Sequence, residues 1–349
     1  MAQLPDMSAH HSKADFKRKA FGMARPGPMN TITDVPGLKV GQAQDEAAGT
    51  GVTVILPDAR AVCGVDVRGG GPGTRETDAL QPHTLVDAVD AVVLSGGSSY
   101  GLAAADGVAG VLGAKRRGFE LMSKPDVPVS PIVPAAILYD LANGGEKNWG
   151  DLPPYAALGR SAVQAADREF ALGRAGAGFG ASAGRHAGGI GSASIQTDDG
   201  YTIGAIVAVN CFGSVTMPGS DAFWAAPFEI EGEFGGLPIP TDVQFDAENW
   251  GDAKLNPAPG TNTTIAVIAT DAILSSAEAK RMAQMASAGF ARAIRPVFTP
   301  FDGDVVFALS TGQCELAEPH AFTLSRLGSL AADCLTRAIA RGVFEASRV

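Results

Sequence analysis

Pro259-Gly260-Thr261-Asn262-Thr263-Thr264 runs straight into Ile265-Ala266-Val267-Ile268-Ala269, a turn-forming segment followed by an apolar, β-branched one. The pattern reads as a loop feeding a strand. At such a junction the Thr263 hydroxyl can be presented to the Asn262 carbonyl. Cutting that bond by N→O acyl shift and hydrolysis would leave Thr263 with a free α-amine beside its own hydroxyl, a compact nucleophile and base. The amine would have a pKa of about 7.7–8.0, so part of it is neutral and able to take the hydroxyl proton. A second signal lies downstream, where Asp302-Gly303-Asp304 leads into the apolar run Val305 to Leu309. On an extended backbone residues two apart share a face, so both carboxylates point the same way, repel and titrate as a pair. Asn-Thr and Asp-Gly-Asp also occur in turns, so these residues alone leave open two ordinary strand beginnings.

The remaining composition narrows the classes. The chain has 349 residues, enough for one large domain or two ordinary ones, with 46% hydrophobic and 18% charged residues, a globular balance. Its 44 glycines follow no Gly-X-Y period and point to tight turns and close backbone packing. A net charge of −10 and a pI near 5.0 argue against nucleic acid or an anionic membrane as partner. The basic cluster from Lys13 to Arg25 is too polar for a signal-peptide core, and no stretch approaches the ~18 apolar residues of a membrane span. Cys63, Cys211, Cys314 and Cys334 lie far apart and read as buried thiols of a cytoplasmic protein. His10, His11, His83, His186 and His320 form no metal-binding pattern.

Along the chain, strands are expected at Leu38 to Val40, Val52 to Leu56 and Ala61 to Val67, with Pro57-Asp58-Ala59-Arg60 as a hairpin turn between the last two. Ala91 to Leu94 reads as a strand ending in Ser95-Gly96-Gly97-Ser98-Ser99, before a helix from about Tyr100 to Leu112. Strand, Gly-Ser loop and helix could cradle phosphate, but neither GxxxxGK[ST] nor GxGxxG is present, so no cofactor is expected. Ile203 to Val209 reads as a buried strand ending at Asn210, whose amide could donate to an oxyanion or simply form a turn. Met217 to Thr261 reads as a long surface excursion. Strand, helix, strand, helix then follow from Thr263, with a capping box at Ser275 to Glu278 and a last helix from about Thr323 to Val343. Strands interleaved with helices suggest a layered α/β or α+β architecture.

Several blocks together carry a resemblance: Asp66 to Asp78 (DVRGGGPGTRETD), Leu94 to Leu102 (LSGGSSYGL), Pro131 to Asp140 (PIVPAAILYD), the Gly-Ala-Gly run around Gly176 to Gly184, and the Asn262-Thr263 junction. In this order they resemble the self-processing aminopeptidases that include L-aminopeptidase/D-amidase-esterase and the β-peptidyl aminopeptidases. Within that family the look is nearest to the nylon oligomer hydrolases, which likewise have threonine after asparagine where many relatives have serine. The resemblance covers about residues 30 to 345.

It implies a four-layer αββα sandwich of the N-terminal-nucleophile kind in a single domain. Beyond a polar tail over residues 1–29, autocleavage would give a large subunit, 30–262, and a small one, 263–349. The resemblance makes Thr263 the nucleophile, Asn210 an oxyanion or processing residue, Asp302 and Asp304 the groups that activate or orient Thr263, and Tyr139 a tyrosine near the pocket. At Arg185 the chain departs from the family's lysine, keeping the charge but losing a group that can deprotonate near neutrality. The implied activity is cofactor-free hydrolysis of short peptides, amino-acid amides or oligoamides. The implied assembly is a homo-oligomer, with a tetramer among the candidates, and Phe223, Trp224 and Phe228 could anchor it. An ornithine-acetyltransferase-type acyltransferase, which also self-cleaves before threonine, and a non-catalytic scaffold remain the alternatives.

Overall fold

The computed structural model describes residues 24–122, 124–241, 246, 248–254 and 262–348. The basic cluster up to Met23, with His10 and His11, and the Pro259–Thr261 turn lie outside the described residues.

In chain order the strands are β1 (Leu38–Asp45), β2 (Thr50–Pro57), β3 (Val62–Val67), β4 (Thr74–Arg75), β5 (Val92–Ser95), β6 (Ala135–Ile137), β7 (Ser182–Ala183), β8 (His186–Ala187), β9 (Gly189–Gln196), β10 (Thr202–Asn210), β11 (Thr263–Ala272) and β12 (Val305–Cys314). The α-helices are α1 (Ala104–Ala114), α2 (Tyr155–Gln164), α3 (Ser276–Ala286), α4 (Ala288–Ala293) and α5 (His320–Ala346). Among the described residues two five-stranded sheets form, ordered β1-β2-β5-β6-β4 and β3-β12-β11-β10-β9, beside a two-stranded ribbon of β7 and β8. In the second sheet β11 runs parallel to β12 and antiparallel to β10.

All ten residues of β11 are buried, because each face of the strand meets a different layer. Ile265, Val267 and Ala269 join Val305, Phe307 and Leu309 in a core shared with Val40, Ile55, Val92 and Leu94 of the other sheet. The alternate residues Ala266 and Ile268 pack with Met282, Phe290, Leu335 and Ala338 of the covering helices. On the far side Val52, Val54 and Val93 pack with Ala105, Val108 and Ala162 of α1 and α2. Helix, sheet, sheet, helix is the expected four-layer αββα order. The outer helices come close through residues without side chains: a Cβ on Gly191 of β9 would stand 1.8 Å from the Ala338 carbonyl oxygen of α5.

The Ser275 cap of α3 forms as expected, its N–H meeting Glu278 Oε2 at 2.8 Å. Four other expectations change. Pro57 to Arg60 is not a hairpin turn: β2 and β3 belong to different sheets, and the hairpin is β1–β2. Turn residues show that the chain reverses, not which sheet receives the next strand. The helix after the Gly-Ser loop begins as a 3₁₀ segment, Ser98–Ala103, because Gly97 and Ser98 adopt φ of +85° and +52°. Met217 to Thr261 is not all surface: Phe223 and Phe234 pack edge to face at 5.6 Å inside the helix-side core. Phe223 is part of this core, and Trp224 and Phe228 lie under Arg295 and Arg292. Cys314 is only half-buried, while the other three thiols are buried. Among the described residues no helix is long and apolar enough to cross a membrane.

Candidate active site

Thr263 is the first residue of β11 and is 2% exposed. Its hydroxyl donates to the carbonyl oxygen of Asn262, the residue before it. The same oxygen accepts the Gly303 N–H at 2.9 Å. One peptide bond thus has a hydroxyl on one side and a backbone donor on its oxygen. That arrangement suits attack at the carbonyl carbon with stabilisation of the charge developing on oxygen.

The loop before β12 has little room to do otherwise. Asn262 bridges Asp302 in parallel register, which extends the β11–β12 ladder past its formal start. A Cβ on Gly303 would lie 2.7 Å from Thr263 Oγ1 and 2.7 Å from the Gly71 carbonyl oxygen. From above, the Gly71 N–H donates to the Asp302 carbonyl at 2.7 Å and the Gly69 N–H to that of Asp304 at 3.2 Å. The run of glycines after Asp66 is therefore needed for close approach of two backbones.

Asp302 and Asp304 are both 1% exposed and come together as expected. Neither holds the Thr263 hydroxyl directly. Asp304 accepts the N–H of Thr264 at 2.7 Å and of Phe298 at 3.3 Å, which locks the start of β11. Asp302 accepts the Thr299 N–H at 2.9 Å, the Thr299 hydroxyl at 2.7 Å and the Phe212 N–H at 3.3 Å. Burial first, and then the nearby Asp302 charge, push the Asp304 carboxyl well above the usual carboxylate range.

Asn210 ends β10 directly opposite Thr263 in the antiparallel ladder. Its side chain accepts the Ser182 N–H at 3.0 Å and donates to the Tyr139 carbonyl at 3.1 Å. Tyr139, just beyond β6, is half-buried and joins this corner through that carbonyl. Arg185 stands exposed in the β7–β8 turn, its N–H donating to the Asp252 carbonyl at 2.8 Å.

The Gly-Ser loop is filled from within. The N–H groups of Gly96, Gly97 and Ser98 donate to Gly51 O, Asp140 Oδ1 and Leu138 O at 2.9, 2.8 and 2.9 Å. A protein carboxylate occupies the place a phosphate would need, and burial raises the pKa of Asp140. Through Leu138 and Asp140 the loop grips both chain neighbours of Tyr139.

Two participants carried no warning in the sequence. Gly303 looked like the spacer between two aspartates, yet its N–H is the donor on the Asn262 carbonyl. Lys254 lay inside a stretch without periodicity, yet its Nζ reaches the Asn210 carbonyl oxygen at 3.4 Å. Burial lowers its pKa to about 8, against the opposing pull of Cys211 and Asp302. A single cation in an acidic, proline-rich stretch was the only available hint.

A family model described as peptidase family S58 matches residues 30–349. An uncharacterized aminopeptidase of Mycobacterium tuberculosis is 44% identical over 343 residues, spanning 92% of this chain and 95% of the relative. A 6-aminohexanoate-oligomer endohydrolase of a Kocuria species is 32% identical over 305 residues, 84% of this chain and 78% of that enzyme. Among solved structures, a Burkholderia β-aminopeptidase superposes with a TM-score of 0.66 at 24% identity, covering 92% of this chain and 88% of that one. The L-aminopeptidase D-Ala-esterase/amidase of Ochrobactrum anthropi, described as a prototype for the serine aminopeptidases with a variant Ntn hydrolase fold, gives 0.66 at 21% identity, covering 92% and 87%. These two structures support the fold.

Proposed function

The chain belongs to peptidase family S58, and on that footing we propose that it is a self-processing amide hydrolase whose nucleophile is Thr263. The observation that carries this reading is the meeting of the Thr263 hydroxyl and the Gly303 N–H on the Asn262 carbonyl oxygen. In the first reaction Thr263 Oγ attacks the Asn262 carbonyl carbon, the amide nitrogen leaves with a proton, and an ester links the two residues. Water then cleaves the ester, giving an Asn262 carboxylate and a Thr263 α-amine.

In turnover the same hydroxyl attacks the substrate amide with the neutral α-amine as its base, the substrate C–N bond breaks, and the departing amine takes the hydroxyl proton. The acyl ester on Thr263 is hydrolysed by a second attack of water. Asn210, across the ladder, and Gly303 are the donors placed to serve the substrate oxyanion. Asp304 and Asp302 hold the strand start and the flanking loops in register. The proposed substrates are short peptides, amino-acid amides or oligoamides with a free amine; the 32% identity to an oligoamide endohydrolase supports including the last. Membership of a peptidase family favours water over an amine as the acyl acceptor, against the acetyltransferase alternative.

Intact-mass and N-terminal analysis of the purified protein tests the reading, together with release of nitroaniline from aminoacyl nitroanilides. The expected result is a fragment beginning Thr-Thr-Ile-Ala and measurable release. An active chain left whole at Thr263 would overturn it.

A further inference from the structure

We propose that Lys254 is a positioning residue of the Thr263 reaction, its ε-ammonium set at the end of β10 to hold the Asn210 corner and counter the charge of Asp302. The inference rests on the Thr263 reading above. It also goes past it, since family resemblance drew attention to position 185, where this chain has an exposed arginine in a turn.

The segment around Lys254 is fastened to the site at each step. Trp250 packs edge to face on Phe212 at 5.8 Å. The Asp252 carbonyl accepts the Arg185 N–H, and the Asp252 carboxylate lies 3.5 Å from His186 Nε2 and 3.3 Å from Thr216 Oγ1. Ala253 is buried, and the Lys254 N–H donates to the Phe212 carbonyl at 2.9 Å. This anchoring directs Nζ to the Asn210 carbonyl oxygen, at 3.4 Å. Phe212 is also the residue whose N–H donates to Asp302, so lysine and aspartate grip the two ends of Cys211–Phe212.

Among the described residues, Cys211 and Asp302 are the titratable groups that face the ammonium. Burial pushes the Cys211 thiol up to about 12, so it stays neutral, and its Sγ–H is directed to the Gly213 carbonyl. That leaves Asp302 as the counter-charge, with the Asp304 carboxyl behind it pushed above its usual range by burial and by Asp302. A cation there offsets the negative charge that two buried carboxyl groups concentrate in one site. Because burial brings the lysine down to about 8, its charge is present at neutral pH and is lost in the mildly alkaline range.

The test compares Lys254→Met and Lys254→Arg with the unaltered full chain, reading both Thr263 N-terminus formation and the pH dependence of nitroanilide turnover. The unaltered enzyme should lose kcat on its alkaline side as the ammonium deprotonates. Lys254→Arg, charged throughout, should keep its activity to higher pH. Lys254→Met should lose about tenfold or more of kcat at neutral pH, as expected for a misplaced catalytic corner. Should the methionine variant fail to fold, the arginine profile decides alone. An arginine variant whose alkaline limb coincides with that of the unaltered enzyme overturns the lysine inference and leaves the nucleophile untouched. Turnover without any Thr263 N-terminus would instead remove the nucleophile reading.

Discussion

The Gly303 N–H lies 2.9 Å from the carbonyl oxygen of Asn262, the same oxygen that receives the hydroxyl of the next residue. A loop glycine and a strand-opening threonine thereby converge on one peptide bond. The parallel Asn262–Asp302 bridge holds them there, and the loop of Gly69 and Gly71 closes over the top.

Thr263→Ala should remain a single chain and lose nitroanilide turnover to background, because it removes the hydroxyl for both attacks. Thr263→Ser should still process. Mass spectrometry after prolonged incubation distinguishes them, and a processed alanine variant would refute the role of the hydroxyl.

Gly303→Ala keeps the N–H but adds a Cβ 2.7 Å from both Thr263 Oγ1 and the Gly71 carbonyl. The backbone neighbour cannot yield cheaply, so the donor or the hydroxyl must move. Self-cleavage should slow by about 10²-fold, the scale of a misplacement near 1 Å. Gel-followed cleavage half-times measure this, and an unchanged half-time would contradict the proposed contact.

Asp304→Asn should lower turnover by about 10²-fold, because the carboxylate that accepts the Thr264 N–H fixes the strand start and a misplacement of the hydroxyl near 1 Å is costly on that scale. Asp304 also has a stability signature of unusual sign. Its folded-state pKa is raised, so its contribution is complete below the ordinary aspartate pKa of about 3.9 and is lost as pH rises through the folded value. Melting temperatures of the unaltered protein, taken relative to Asp304→Asn, should therefore fall from acid toward neutral and alkaline pH. A difference that rises with pH would contradict the raised pKa of Asp304.

Arg337 of α5 is 1% exposed and makes two hydrogen bonds to Glu233, at 2.5 and 2.8 Å. Asn30 joins both residues, so the pair ties the 217–241 stretch and the chain's N-terminal approach to the last helix. Arg337→Met should cost about 3–5 kcal/mol in urea unfolding, because Glu233 stays buried with its charge poorly compensated. Arg337→Met with Glu233→Gln should recover part of that loss.

Thr263 and the Asp302–Asp304 pair were legible because their chemistry depends on neighbours in the chain: a hydroxyl beside its own preceding carbonyl, and carboxylates two residues apart. Asn210 was visible only as the end of an apolar strand, and β10–β11 pairing was needed to set it opposite Thr263. The apolar, β-branched run of β11 and the cap at Ser275 hold in the structure because both signals are local. Where the reading failed, as at the Pro57–Arg60 turn and in the stretch containing Phe223, the deciding partner was remote in sequence.

By itself the sequence determined β1, β2, β3, β5, β10, β11 and β12, the helices α1, α3 and α5 and the Asn262–Thr263 junction, since apolar runs, helical spacing and turn chemistry act over a few residues, whereas β9 and α2 went unmarked. Only the tertiary structure decided that β2 and β3 enter different sheets, that Gly303 faces the Asn262 carbonyl, and that Lys254 reaches Asn210 across 44 positions. The reason is physical: a hydrogen bond between distant segments depends on how the layers stack, and burial of a charge depends on everything that surrounds it. Neither quantity is written at the residue concerned.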